Sequence, residues 1–240
     1  MFYVGENMVV AAILAGGSGM RMGAASPKQF LQLGNEPILV HSARAFLHHE
    51  KVEKVCIVVP QNFMEQTQSL LHEFIDEAND IAVIAGGKNR SLSLLQAVRY
   101  FGAFCPPDTC ILTHDAVRPF VTERMIDENI QAVQKYSAVG TAVPAVDTLL
   151  LSSDGLFIAS VPPRKTAFHA QTPQSFVLGM LSDLLEQASD EQHENFTDGC
   201  SVFLQAGLPV AMVRGEAYNI KITYPDDLVR GENILKNHFN

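Results

Sequence analysis

The chemistry of this chain begins where glycines follow directly on an apolar segment. Val9–Leu14 leads into Leu14-Ala15-Gly16-Gly17-Ser18-Gly19-Met20-Arg21-Met22-Gly23, and Pro27-Lys28-Gln29-Phe30 comes next. Glycines let the backbone approach a polyphosphate closely, and consecutive backbone amides form an anion-binding concavity. Arg21 and Lys28 add fixed positive charge to the same segment. Gly17-x-Gly19 with Gly23 comes near a dinucleotide fingerprint, but the spacing is off by one. No acidic residue closes a second strand about 20 residues later, where a ribose would be held. Two cations suit a triphosphate better than the pyrophosphate of a dinucleotide.

Further along, Gly86-Gly87-Lys88-Asn89-Arg90 is followed by Ser91 and Ser93 at the start of a helical pattern. Small residues, hydroxyls and free helix amides there could receive a base and ribose. An ordinary corner with Ser91 as its cap would look the same. Asp115, in His114-Asp115-Ala116-Val117-Arg118-Pro119-Phe120, ends an apolar run. A carboxylate beside a polyphosphate repels it unless a cation intervenes, which makes Asp115 a candidate Mg²⁺ ligand. An ion pair with Arg118 is the structural alternative. His114 has no second histidine at ligand spacing and reads as a packing and hydrogen-bonding residue. In Ile220-Lys221-Ile222 the alternation puts Lys221 on the face opposite the isoleucines, so its ammonium could enter a cleft. Arg164 follows Val161-Pro162-Pro163.

These residues need a scaffold, and the apolar pattern supplies one. Strands are expected at Val9–Leu14, Val55–Val59, Ile81–Ile84, Cys110–Thr113, Ala138–Val143 and Val210–Val213. Helices are expected near Pro37–His48, Phe63–Glu77, Ser91–Phe101 and Glu123–Lys135. Strand–helix alternation predicts an α/β domain, Rossmann-like, with a mainly parallel twisted sheet and helices on both faces. Ligands of such sheets bind at the carboxyl ends of the strands, so the loops after the first, third and fourth strands are the ones that matter. Thr148–Leu151 and Leu156–Val161, joined by Ser152-Ser153-Asp154-Gly155, break the rhythm and read as a β-hairpin. No repeat or linker divides the chain. We expect a single domain over 1–240 with an arm at about 145–165.

Composition narrows the partners. The 240 residues carry 17 basic and 26 acidic side chains, a net charge of −9, which argues against binding to nucleic acid or to an anionic membrane. With 47% apolar and 18% charged residues, the chain has the makings of a large core. Phosphate ligands stay open, because a few local cations suffice to hold them. Cys56, Cys105, Cys110 and Cys200 form no Cys-x-x-Cys pair and read as reduced structural thiols. Met8–Ala15 is too short to span a bilayer and lacks the basic flank of a secretory signal, so a cytoplasmic protein is expected. Met8 would serve as a start as well as Met1 does, which would make residues 1–7 a leader.

Taken together, the blocks resemble a known family. Leu-Ala-Gly-Gly-x-Gly-x-Arg-Met-Gly followed by Pro-Lys-Gln-Phe is similar to the signature of sugar-phosphate nucleotidyltransferases. The nearest resemblance is to the cytidylyltransferases that activate polyol phosphates. It continues through Gly86–Arg90, His114–Phe120, Gln171-Thr172-Pro173-Gln174-Ser175-Phe176, Thr197-Asp198 and Asn219–Thr223, nearly the whole chain. Two sister groups share it, acting on 2-C-methyl-D-erythritol 4-phosphate or on ribitol 5-phosphate.

The resemblance implies transfer of CMP from CTP to a polyol phosphate with loss of pyrophosphate. It implies nucleotide contacts from Leu14, Ala15, Gly16, Gly17, Gly19, Gly87, Arg90 and Ser93, and Mg²⁺ on Asp115. Arg21 and Lys28 would stabilise the α-phosphate and leaving group. Thr148, Arg164 and Lys221 would hold the acceptor, with Thr148 and Arg164 carried by the arm into the neighbouring subunit of a homodimer. Leu149-Leu150-Leu151 after Asp147-Thr148, Phe168, Val117 and Cys200 favour the ribitol group, linked to wall teichoic acid. Val143–Thr148 favours the methylerythritol group of isoprenoid synthesis. A nucleotide-binding protein without catalysis is the reading of another class.

Overall fold

Val9–Leu14 (β1) is buried along its whole length, and its residues alternate between two cores. Val9, Ala11 and Ile13 belong to one apolar cluster, Val10, Ala12 and Leu14 to the other. A strand covered on both faces lies at the centre of a layered α/β structure. The computed structural model describes residues 8–17 and 27–239. Gly19, Arg21 and residues 1–7 lie outside the described residues.

The remaining elements are short β2 (Gln32–Leu33) and β3 (Glu36–Pro37), α1 (Ile38–Leu47), β4 (Lys54–Val59), α2 (Met64–Phe74), β5 (Ile81–Ala85), α3 (Arg90–Gly102), β6 (Cys110–Asp115) and α4 (Glu123–Val133). They continue with β7 (Ala138–Pro144), β8 (Phe168–Val177), α5 (Leu178–Glu186), α6 (Asp190–Asn195), α7 (Gly199–Gln205), β9 (Ala211–Arg214) and α8 (Pro225–His238). All six expected strands form, and so do the four expected helices. Seven strands make one sheet in the order β5-β4-β1-β6-β8-β7-β9. Its pairings are parallel except where β8 runs against β6 and β7.

One face packs on α1, α2 and α4 through Leu39, Phe46, Leu71, Met125 and Ile126. The other packs on α3, α5 and α7 through Leu94, Val98, Leu181 and Phe203. A third cluster joins Leu33, Ile38, Val117, Phe120, Ile222 and Ile234, binding α8 to the β6 corner. The chain moves outward from β1 to β4 and β5, then returns through α3 to place β6 on the other side of β1. The strand order therefore reverses between β1 and β6, which creates a crevice at their carboxyl ends.

The arm differs from expectation. Neither of its two strands forms; one antiparallel bridge joins Leu151 to Ser160. The turn is present, with Gly155 at φ +74° and Asp154 Oδ1 accepting from the Leu156 and Phe157 amides. An isolated pair of short apolar segments has no sheet to join here, so pairing stops after one rung. Leu156, Phe157 and Ile158 are 83%, 76% and 63% exposed. No helix of the described residues is long and apolar enough to cross a membrane.

Candidate active site

The crevice between β1 and β6 is a cleft of about 280 Å³. Leu14–Gly17 enters it from β1, Gly87–Arg90 and Ser93 from the β5–α3 corner, and Asp115–Val117 from β6. Lys28, Gln29 and Lys221 complete the lining. Every described residue expected to meet the nucleotide, together with Lys28, Asp115 and Lys221, converges here. Thr148 and Arg164 do not. Arg164 opens a short helical turn beside the arm, where its Nη1 donates to the Val146 carbonyl at 3.4 Å.

Two buried side chains fix the glycine segment. Gln29 donates from Nε2 to the Ala15 carbonyl at 2.8 Å. Lys28 is 7% exposed and donates from Nζ to the Ile222 carbonyl at 3.1 Å. A Cβ added to Gly17 would lie 3.8 Å from Lys28 Cε, so the glycine backbone passes over the lysine stem.

The β5–α3 corner is built from its own polar groups. Asn89 caps α3 by accepting from the Leu92 amide at 2.8 Å, the role that the alternative of an ordinary corner gave to Ser91. Ser91 instead meets His193 Nδ1 at 2.7 Å. Ser93 Oγ accepts from the Gly87 amide at 3.1 Å and donates to the Asn89 carbonyl at 2.8 Å. Gly87 lies so close to the first turn of α3 that a Cβ there would fall 2.4 Å from Leu92 Cβ, which only glycine avoids.

Asp115 is the cleft's electrostatic centre and the only carboxylate lining it among the described residues. Lys221 Nζ stands 2.7 Å from Oδ2, Arg90 Nη2 is 3.1 Å from Oδ1, and Arg118 Nε is 3.8 Å from Oδ2. Burial by itself would raise this carboxyl. Arg90, Lys221 and Arg118 outweigh burial and hold it well below the usual carboxylate range. The Arg118 ion pair foreseen as an alternative is therefore the longest of three. Arg118 also donates to the carbonyls of Asn219 and Ala170, at 2.9 and 3.2 Å, tying the β6 corner to β8 and to the segment before Lys221.

Behind Asp115, the Thr172 hydroxyl accepts from the Asp115 amide at 3.1 Å and meets His114 Nδ1 at 2.9 Å. His114 Nε2 faces the Arg118 carbonyl at 3.0 Å. A carbonyl only accepts, so Nε2 carries the proton and Nδ1 accepts from Thr172. Burial brings the His114 pKa down to about 4, against weaker support from the Arg118 carbonyl and Asp115. His114 is thus a neutral positioning group, as its lack of a ligand partner implied. Lys221 alternates with buried Ile222 as expected and points its ammonium at Asp115.

Gln29, Thr172 and Asn219 are functional-looking residues that residue-type reasoning passes over. Asn219 is fully buried and donates to the Thr172 carbonyl at 2.9 Å. Their blocks are visible in the sequence, but a neutral polar residue in a motif shows no sign of the backbone atom it will hold. The one group of three metal-competent side chains among the described residues, His49, Glu123 and Asp127, takes no part in the cleft. The cysteines are unpaired, with burial pushing Cys110 and Cys200 up to about 12.

This architecture recurs in solved structures. A 4-diphosphocytidyl-2C-methyl-D-erythritol synthase from Anaerococcus prevotii shares 25% identity over 96% of this chain and 97% of its own, with a TM-score of 0.79. The 2-C-methyl-D-erythritol 4-phosphate cytidylyltransferase from Thermus thermophilus shares 28% identity over 95% and 100%, with a TM-score of 0.74. That of Francisella tularensis shares 25% identity over 92% and 97%, with a TM-score of 0.79. A family model described as IspD, 2-C-methyl-D-erythritol 4-phosphate cytidylyltransferase, matches residues 9–237. The catalytically silent reading falls with that match. With its glycine segment, β5–α3 corner and Asp115 in one cleft and the family match running almost end to end, the chain belongs to the IspD family and is a cytidylyltransferase.

Proposed function

We propose that the enzyme transfers CMP from CTP to 2-C-methyl-D-erythritol 4-phosphate and releases pyrophosphate. The observation that carries this reading is the convergence of Lys28, Arg90, Lys221 and Asp115 on a glycine-lined cleft at the strand-order reversal. The methylerythritol acceptor rests on the family match and on the names of the similar structures. It replaces the ribitol preference read from single residues. Of those residues, Val117 lines the cleft, while Cys200 belongs to α7 and lines none of it.

An acceptor phosphate oxygen attacks the α-phosphorus of CTP in line. The new P–O bond forms as the bond to the β-phosphate bridging oxygen breaks, and pyrophosphate leaves with that electron pair. A phosphate monoester is largely dianionic near pH 7, so no general base is required. The protein supplies positioning and charge. Lys28, with Arg21, would stabilise the α-phosphate and leaving group, Arg90 and Ser93 would hold the nucleotide, and Lys221 would orient the acceptor. Arg164 and Thr148 would do so from a second copy.

Asp115 fits a Mg²⁺ that arrives with the nucleotide. One carboxylate plus substrate phosphates is how this ion is commonly held, and among the described residues the cleft offers one carboxylate and no all-protein cage. When bound, the ion would neutralise charge on the phosphates. A homodimer would bury the apolar arm, whose exposure in a single chain is costly.

Pyrophosphate release with CTP and each acceptor in parallel tests the proposal. The expected result is a higher kcat/KM with 2-C-methyl-D-erythritol 4-phosphate. A higher value with ribitol 5-phosphate, the acceptor favoured by Leu149–Leu151, would overturn the acceptor assignment and leave cytidylyl transfer standing.

A further inference from the structure

We infer that His193, on α6 and outside the cleft, is a positioning residue that sets how tightly and how selectively the enzyme takes its nucleotide. The inference rests on the reading above that the β5–α3 corner receives CTP. His193 is 5% exposed, and its Nδ1 is 2.7 Å from the hydroxyl of Ser91, itself 4% exposed. Its backbone carbonyl accepts from Asn89 Nδ2 at 3.2 Å. Neither Ser91 nor His193 lines the cleft, whereas Arg90 just before Ser91 and Ser93 two residues after it do.

The contact is connected to the cleft by a short chain of bonds. Asn89, held by His193, caps α3 through its Oδ1 and accepts from Ser93 Oγ through its carbonyl. Ser93 Oγ in turn accepts from the Gly87 amide. Gly87 is pressed against Leu92 with no room for a Cβ, so a shift of the first turn of α3 shifts Gly87 with it. α6 has six residues, too few to be stable alone, and its place depends on its Ser189 capping box and on contacts such as these. The Lys88–Glu194 pair at 4.0 Å is exposed and adds little.

Misplacing the corner affects nucleotide binding more than chemistry. Lys28 donates to the carbonyl of Ile222, which lies outside α6. Loss of contacts made equally in the ground and transition states raises KM and leaves kcat in place. A base edge that no longer meets its hydrogen-bonding partners also loses discrimination.

The experiment is steady-state kinetics with CTP and UTP for wild type, His193→Ala, His193→Asn, Ser91→Ala and the His193→Ala/Ser91→Ala double variant, with a thermal melt of each. The expected outcome for His193→Ala is a CTP KM raised about tenfold, a kcat within about twofold, and a smaller preference for CTP over UTP. His193→Asn should restore most of the affinity, because its amide can meet the Ser91 hydroxyl from the Nδ1 position as donor or acceptor. The double variant should be no worse than the worse single variant, since both single changes remove the same contact.

A merely structural role would lower the melting temperature and leave KM unchanged in the folded protein, and would overturn the inference. Additive KM effects would do the same. If His193→Ala fails to fold, Ser91→Ala, which removes one hydroxyl, carries the test. A wild type without CTP turnover would overturn the reading on which this rests. CTP turnover with an unaltered KM in Ser91→Ala and His193→Ala would overturn this inference alone.

Discussion

Replacing Asp115 by asparagine keeps the shape of the side chain and removes its charge. The wild-type carboxylate is met by Lys221 at 2.7 Å, Arg90 at 3.1 Å and Arg118 at 3.8 Å. In the variant these three cations face a neutral amide, one end of which is itself a donor. Breaking a buried ion pair by removing one partner costs about 3–5 kcal/mol. Lys221 and Arg90 have side chains 39% and 27% exposed, so water offsets part of their loss. Arg118, at 12%, has no such relief, and its Nε has no other partner. We therefore expect Asp115→Asn to lose about 2–4 kcal/mol of unfolding free energy in urea, without nucleotide or metal.

The same variant should respond more strongly to a polyanion. Without metal, CTP must displace Asp115 from its cations in the wild type, whereas in the variant those cations have lost their anion. CTP at about 100 times its dissociation constant would return roughly 2.7 kcal/mol to the variant. The wild type should gain clearly less at the same concentration. Equal unfolding free energies for the two proteins, or equal stabilisation by metal-free CTP, would refute the view that Asp115 is the counter-ion of this cation cluster and competes with a polyanion for it.

Lys28→Ala should lower turnover by about 10²–10³-fold while the protein stays folded, read by kcat alongside circular dichroism, and Lys28→Arg should rescue little. His114 should make stability pH-dependent. Its folded pKa of about 4 lies below the ordinary value of 6.5, so the unfolded chain takes up the proton first. Stability then falls as pH drops from about 6.5 towards 4, by on the order of 3 kcal/mol, and His114→Gln should flatten that part of the urea-derived profile. Mixing inactive Arg164→Ala with inactive Lys28→Ala protein should restore activity, since a heterodimer would regain one intact site of two; exchange of subunits without recovery would place Arg164 in its own chain's site.

Legibility in the sequence follows the apolar signal. β1, β4, β5, β6, β7 and β9 are apolar runs in which burial on one or both faces demands such side chains, and their bounds are legible to within two residues at either end. β8 escapes as a strand because Gln171, Thr172, Gln174 and Ser175 are polar and Pro173 stands among them. All four polar residues are nevertheless buried. Their cost is met by bonds that come from far along the chain, such as Gln174 to Asp198 at 2.7 Å and Ser175 to the Asn129 carbonyl at 3.0 Å. No local pattern reports such partners. The arm fails in the opposite way: Thr148–Leu151 and Leu156–Val161 look like strands, but a strand also needs a neighbour to pair with. At the site, charge is legible and support is not. Asp115 and Lys221 can be picked by type, whereas Thr172, Gln29 and Asn219 act through distant backbone and side-chain atoms that the fold brings to them.

The bond from Lys28 to the Ile222 carbonyl spans 194 positions of the chain. All seven strands of the main sheet are complete by Arg214, before Lys221 and Ile222 are reached. During synthesis from the N-terminus, the sheet can therefore close while the cleft still lacks the Ile222 carbonyl that meets Lys28, the ammonium facing Asp115, and the Ile222 and Ile234 members of the third apolar cluster. Scaffold and catalyst are made at different times by one ribosome. A nascent chain halted just past β9 would own the sheet without the Lys221 wall of the cleft, which lies among the 26 residues from Gly215 to Asn240.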